Sequence, residues 1–260
     1  NIASEFGCQY VTDAASLSSL NVSMVTIATP TPSHAELAIS MMREGFDVLV
    51  EKPLAMNIKE AEKIKSVAEE TGRLLLVGHV FRHHMGVRKA AEMIQAGKLG
   101  PVRHIVSERL AVREPREDIG VIAALGIHDL DICTDILGGI RPVRMQGMAS
   151  ESEIKGIEDH ADLLLEFPAE KNEERGVMAS IHLSWRSRIR GKVRSLEVVG
   201  RDGSLYVDYM DHSGIWFYSH PNNAHGVEFG GFGAAPRERV EIAISEPALT
   251  AELRDFILRS

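Results

Sequence analysis

The sequence predicts two architectures in series: an α/β region with a parallel sheet over residues 1–84, then an α+β region over residues 85–260 with a large, mostly antiparallel, open sheet. Three observations carry this. Short aliphatic or β-branched runs alternate with amphipathic helical patterns up to Gly78. Their connections are short, which means right-handed crossovers between parallel strands. After Gly86 the helical period gives way to strand-like runs beside glycine turns.

Each element has its own signal. "SMVTIA" (Ser23 to Ala28) is a β-branched run followed by turn chemistry, so it reads as a strand. In "TPSHAELAISMMREG", Pro32 suits a first helical turn, Ser33 and Glu36 match a capping box, and Gly45 ends the helix. "DVLV" is the next strand. Asn57 caps "NIKEAEKIKSVAEETG", with Ala61, Ile64 and Ala68 as its apolar stripe and Gly72 as its stop. "LLLVG" (Leu74 to Gly78) is the third strand, and near-continuous apolar strands suit a sheet covered on both faces. Beyond it come a helix in "VRKAAEMIQAGKLG", a strand in "PVRHIVSERLAV" and a helix in "GIHDLDICTDILGG". The strands that follow are "VRMQGMAS", "HADLLLEF", "GVMASIHLSW", "RSLEVVG", "GSLYVDY" and "GIWFYS". "HGVEFGGFGAAP" reads as a mobile loop. The chain opens in the tail of a helix and closes inside another, "AELRDFILRS", so both ends read as cut.

Composition bounds the function. Of 260 residues, 44% are hydrophobic and 25% charged, which suits a packed globular protein. A net charge of −8 argues against a nucleic-acid surface. No run reaches the roughly 18 apolar residues of a membrane span. Cys8 and Cys133 have no metal spacing and make a poor disulfide framework, which points to a reducing, cytoplasmic setting.

In parallel sheets ligands bind beyond the carboxyl ends of the strands. "TPTPSH", "EKP" and "HVFRHH" occupy those ends, which puts Lys52 on a functional rim and lets His79 and Arg82 meet substrate. His79, His83 and His84 invite a metal reading, but no acidic or cysteine partner stands at ligand spacing, so no metal is expected. Trp185, Trp216 and Phe217 read as sheet packing or an oligomer face, and Cys133 as core. An open sheet with one uncovered face predicts a homodimer or homotetramer through the C-terminal sheet. No G-x-G-x-x-G precedes Ser23, where a dinucleotide fold has its pyrophosphate turn; the opening βαβ that would hold one is roughly 30 to 45 residues.

Four stretches in order, "ATPTPSH", "VLVEKPLA", "VGHVFR" and "LGIHDLDI", resemble the glucose–fructose oxidoreductase / inositol dehydrogenase / MocA (Gfo/Idh/MocA) family over nearly the whole chain. The resemblance implies a Rossmann-type domain lacking its first strand, glycine turn and second strand, followed by the open-sheet domain. It implies an NAD- or NADP-dependent oxidoreductase acting on a hydroxyl of a sugar, cyclitol or nucleotide sugar. Lys52 matches the family's active-site lysine and His128 its active-site histidine. Lys52–Pro53 matches a loop often held by a cis bond, which for X–Pro costs only about 0.5–1 kcal/mol over trans. Thr29, Pro30, His34, Glu51, Lys52 and Pro53 fall where the family borders its cofactor. His128 is the implied base, with an ordinary pKa near neutral, and Lys52 would hold the substrate hydroxyl and stabilise a developing alkoxide. Asp131 matches an aspartate three residues after the histidine and, with His79, Arg82 and Arg113, completes the implied substrate contacts. Many members have an aspartate four residues before the histidine; here that position is Ala124.

Arg109, Arg113 and Arg116 are similar to an arrangement in members that oxidise the 3-hydroxyl of a UDP-N-acetylhexosamine, since guanidinium forks suit diphosphate. The same arginines also fit a solvated strand-and-loop face. Two other readings stand beside the enzyme: a non-catalytic member kept for binding or regulation, and a gene fragment. The choice between NAD and NADP is made at the end of the fold's second strand, which the resemblance implies is not in the chain.

Overall fold

The computed structural model describes residues 2–169, 175–220, 237–243 and 246–260, in two compact units: Asn1–Gly78 with Leu253–Ser260, and His79–Glu252. The glycine-rich segment "HGVEFGGFGAAP" lies outside the described residues. The division differs from one placed after His84. Arg82, in the turn after Gly78, is bonded to Asp131 of the second unit, and Ser260 at the chain's end hydrogen-bonds Asp47 of the first.

The first unit begins with α1 (Ile2–Phe6) and a 3-10 turn at Ala14–Ser19, whose Ser16 amide donates to the capping Asp13 carboxylate at 2.9 Å. Then come β1 (Met24–Ile27), α2 (His34–Arg43), β2 (Asp47–Glu51), α3 (Ile58–Thr71) and β3 (Leu75–Gly78). The strands run parallel in the order β1-β2-β3. Val48 and Val50 of the central strand pack with Ala38 and Met42 of α2 and Ile64 and Val67 of α3. The flanking strands are only half-covered, so full burial on both faces holds for β2 and not for its neighbours.

The caps follow local chemistry. The Asn57 side chain accepts from the Glu60 amide, while the Glu60 carboxylate accepts from Asn57 Nδ2 and the Met56 amide. Gly72 closes α3 with a φ of +64°, a conformation that favours glycine. The box expected at Ser33 does not form. Ser33 ends a 3-10 turn (Thr31–Ser33) and is already helical at φ −91° and ψ −8°, so its hydroxyl turns back to the Pro30 carbonyl.

The second unit holds α4 (Met85–Gln95), β4 (Val102–Leu110), a π turn at Ile122–Gly126 and α5 (Ile127–Ile136). The remaining strands are β5 (Arg144–Glu151), β6 (Glu158–Glu166), β7 (Met178–Ser184), β8 (Val193–Gly200), β9 (Gly203–Asp208), β10 (Gly214–Ser219) and β11 (Arg237–Glu241). α6 (Ala248–Arg259) closes the chain. Among the described residues the sheet has eight strands, ordered β11-β10-β9-β8-β4-β7-β6-β5. Its pairings are antiparallel except β4 with β7. One face carries the core: Ala161, Leu163 and Leu165 of β6 and Ile181 and Leu183 of β7 cluster with Ile132, Cys133 and Ile136 of α5. The alternate residues of β6, among them Asp162 and Leu164, point to the uncovered face. Trp185 and Cys133 are fully buried in the core.

Candidate active site

In the first unit the candidate residues stand in the loops beyond β1 and β2. Thr29 and Pro30 are exposed, and the Thr29 hydroxyl lies 2.7 Å from that of Ser33. Glu51 and Lys52 are half-buried, Pro53 is buried, and the Lys52–Pro53 peptide is cis. Gly78 of β3 stands opposite Glu51 in register. A Cβ there would meet the Glu51 carboxyl carbon at 3.3 Å, so the missing side chain leaves room for that carboxylate.

His34 joins the two loops. Its ring is only 1% exposed, with Nδ1 2.9 Å from the Pro53 carbonyl oxygen and Nε2 2.8 Å from that of Thr29. Main-chain carbonyls only accept, so a neutral ring donates to one of the two at a time. The ring is thus turned inward and staples the loop after β1 to the lysine loop.

In the second unit a separate set of candidate residues gathers around the start of α5. His128 is 6% exposed and meets the Phe81 ring edge-on, with centroids 4.9 Å apart. Phe81 belongs to a 3-10 turn at Val80–His83. On the same ring lies the Arg109 guanidinium, its Cζ 4.0 Å from the centroid and 5.1 Å from that of Tyr209. Arg109 donates to Asp129 at 2.6 Å, and the Ser107 hydroxyl donates to the other carboxylate oxygen at 2.8 Å. Arg109 and Asp129 are each 1% exposed, making a fully desolvated ion pair next in sequence to His128. Burial pushes the Asp129 carboxyl above its ordinary range, with Arg109 and Ser107 pulling the other way. Burial also pushes His84, stacked on Phe81 and edge-on to Tyr209, down to about 4.

One helical turn on from His128, Asp131 takes a bidentate fork from Arg82, Nε to Oδ2 at 2.9 Å and Nη2 to Oδ1 at 2.6 Å. His79 Nδ1 lies 3.6 Å from the same carboxylate. The predicted His79, Arg82 and Asp131 therefore come together, and the fork clamps the turn that carries Phe81. Arg113 is apart from them, exposed, with its Cζ 5.3 Å from the Trp185 ring. The three arginines do not form one anion site: Arg109 is buried on Asp129, and Arg116 forks onto Asp118 at 2.6 and 2.8 Å. Ala124 is buried in the core cluster, within the π turn before α5. His79, His83 and His84 form no metal-ligand set among the described residues.

Sequence reasoning missed Phe81, Ser107, Asp129 and the pairing of Arg109. One signal was available: period two puts Ser107 and Arg109 on the same face as buried Ile105. An arginine on a core face requires a carboxylate.

A parallel βαβ sheet with lysine and proline at its rim, and a separate open-sheet unit with a buried histidine, define an oxidoreductase of the dinucleotide-binding class. Residues 1–79 match the Gfo/Idh/MocA oxidoreductase family, NAD-binding Rossmann fold, and residues 87–206 match the Gfo/Idh/MocA C-terminal domain. The chain is 30% identical over 263 residues to UDP-N-acetylglucosamine 3-dehydrogenase from Acidithiobacillus ferrooxidans, covering 98% of this chain and 75% of that protein. A solved structure of that enzyme superposes with a TM-score of 0.79 at 28% identity, over 98% of this chain and 75% of the other. Similarity to scyllo-inositol 2-dehydrogenase (NAD(+)) from Bacillus subtilis is 28% over 207 residues, 76% of this chain and 58% of that one. The chain thus spans three quarters of the first relative and under three fifths of the second. An inositol dehydrogenase homologue from Azotobacter vinelandii, solved with NADH and myo-inositol, shares the fold with a TM-score of 0.78 at 20% identity, over 95% of this chain and 66% of that one. The chain belongs to the Gfo/Idh/MocA oxidoreductase family.

Proposed function

We propose that the chain works in an NAD- or NADP-dependent oxidoreductase acting on a hydroxyl of a sugar, cyclitol or nucleotide sugar, with the 3-hydroxyl of a UDP-N-acetylhexosamine as the leading substrate. The observation that carries this is the likeness to UDP-N-acetylglucosamine 3-dehydrogenase over 98% of the chain, with Lys52 just after β2 and His128 at the start of α5.

The chain fits a dinucleotide at the loops after β1 and β2, where Thr29, Pro30, Glu51, Lys52 and Pro53 would border the cofactor and His34 would hold the two loops together. When bound, the nicotinamide supplies hydride acceptance. The chain's own residues supply charge and proton transfer. Lys52 donates to the substrate hydroxyl and stabilises the alkoxide that develops on oxidation. His128 takes the hydroxyl proton on its ring, and the Phe81 edge limits the ring's tilt. Arg82 and Asp131, with His79 beside them, form a polar wall for substrate hydroxyls, and exposed Arg113 meets the nucleotide-linked group. The working form is a cytoplasmic homodimer or homotetramer through the C-terminal sheet. Among the described residues no helix is long and apolar enough to cross a membrane.

The test is a fluorescence titration of the chain with NADH and with NADPH, followed by an absorbance assay of UDP-N-acetylglucosamine oxidation. Micromolar binding of either nucleotide with turnover supports the reading; binding absent up to millimolar nucleotide refutes it. One observation favours a second reading, a non-catalytic member: where the resemblance implies an aspartate, Ala124 packs a methyl into the core. Cofactor binding without turnover on any sugar substrate selects that reading.

A further inference from the structure

On the uncovered face of the large sheet, opposite the face that packs against α5, three metal-ligating side chains converge. His160 and Asp162 stand two residues apart on β6 and therefore point the same way. His182 of β7 is directly opposite Asp162 in the antiparallel register. His182 Nδ1 lies 2.6 Å from Asp162 Oδ1, and His160 Nε2 3.4 Å from Asp162 Oδ2. The two imidazoles meet edge-on at 5.2 Å between centroids. One ligand atom from each residue lies within 4.8 Å of the others.

We propose that His160, Asp162 and His182 bind one divalent transition-metal ion of the zinc class. The donors are two imidazoles and one carboxylate, the set that suits zinc, nickel and copper rather than magnesium or calcium. Around zinc, with bonds of about 2.0–2.2 Å, tetrahedral ligands stand about 3.3–3.5 Å apart, so small side-chain rotations bring the three into place. Three protein ligands leave a fourth position for a further ligand. The side chains are neither locked in the core nor loose on a loop: His160 and His182 are 39% and 37% exposed, on two paired strands. The neighbouring carboxylate is excluded from the set. Glu108, opposite His182 on β4, takes a bidentate fork from Arg190.

The plainer reading is an Asp–His surface pair without an ion, and calorimetry separates the two. The full 260-residue chain, free of any affinity tag, is titrated with zinc sulfate near neutral pH, and with cobalt(II) followed by visible absorption. The expected result is one site with a dissociation constant of about 10 µM or tighter. His160→Ala and His182→Ala each weaken it by about 10–100-fold, while Glu108→Gln leaves it unchanged. These three residues are half-exposed, so circular dichroism should show every variant folded. Binding weaker than about 10 µM, or tight binding that survives in the His160→Ala/His182→Ala double variant, overturns the proposal.

Discussion

Replacing Asp129 with alanine tests whether the desolvated pair next to His128 holds the second unit together. Arg109 is 1% exposed, so its guanidinium charge sits in the core. Without Asp129 a full positive charge stays buried, and breaking a buried pair this way typically costs about 3–5 kcal/mol. The Phe81 and Tyr209 faces still offer that charge a cation–π contact of about 1–2 kcal/mol, so the lower half of the range is expected. The Ser107 hydroxyl keeps a partner in the Ser195 carbonyl at 3.2 Å. Arg109→Met should cost less, because Asp129, already pushed upward by burial, becomes neutral by taking a proton. The double variant should then cost clearly less than the sum of the single changes. Both tryptophans, Trp185 and Trp216, lie in this unit, so intrinsic fluorescence in urea reports its unfolding. With a slope of about 2–3 kcal/mol per molar urea, the midpoint of Asp129→Ala should fall by about 1–2 M. A fall equivalent to under about 1 kcal/mol, or additive single and double changes, refutes the argument.

Three further outcomes are expected. Lys52→Met and His128→Ala should each lower turnover by at least about 100-fold with cofactor affinity within a few-fold, and a variant of unchanged turnover removes its residue from the mechanism. His84, held near 4 by burial against about 6.5 when unfolded, should make stability fall as pH drops from about 6.5 to 4, because there the unfolded chain binds a proton that the folded one does not. The loss totals about 3 kcal/mol, and His84→Phe should flatten that part of the pH–stability curve; an unchanged slope rejects the assignment. Asn57→Ala should destabilise α3 by about 1 kcal/mol, read as faster amide exchange at Glu60 and Ala61.

The parallel sheet was legible because its signals are local. A β-branched run, a cap and a left-handed glycine each lie within a few residues, and β1, α3 and Gly72 follow from them. What failed locally was Ser33, whose capping pattern is right but whose backbone is already turning when the helix begins. β11 escaped because "RERVE" is charged along most of its length and faces water; it is a strand because β10 offers it an edge. That β4 pairs with β7 and β8, so that a strand early in the second unit lies in mid-sheet, depends on contacts far apart in sequence.

The candidate site divides along the same line. That Lys52 follows a strand's carboxyl end was legible from the apolar run before it, and His128 was singled out only through the motif around it. Arg109 misled because an arginine in a strand has two faces to choose from, and the choice is made by its neighbours. Ile105 on the same face settles it: that face is core, and the charge has to be met there by a carboxylate from another element, Asp129 of α5. The opposite case is β6. Period two alone places His160 and Asp162 together, but whether they face the core or water, and whether His182 joins them, is fixed by the β6–β7 register. A slip of one residue there would send His182 to the core face and set Ile181 beside Asp162. The burial of Leu163 and Ile181 holds that register, so the apolar residues on one face decide which polar residues meet on the other.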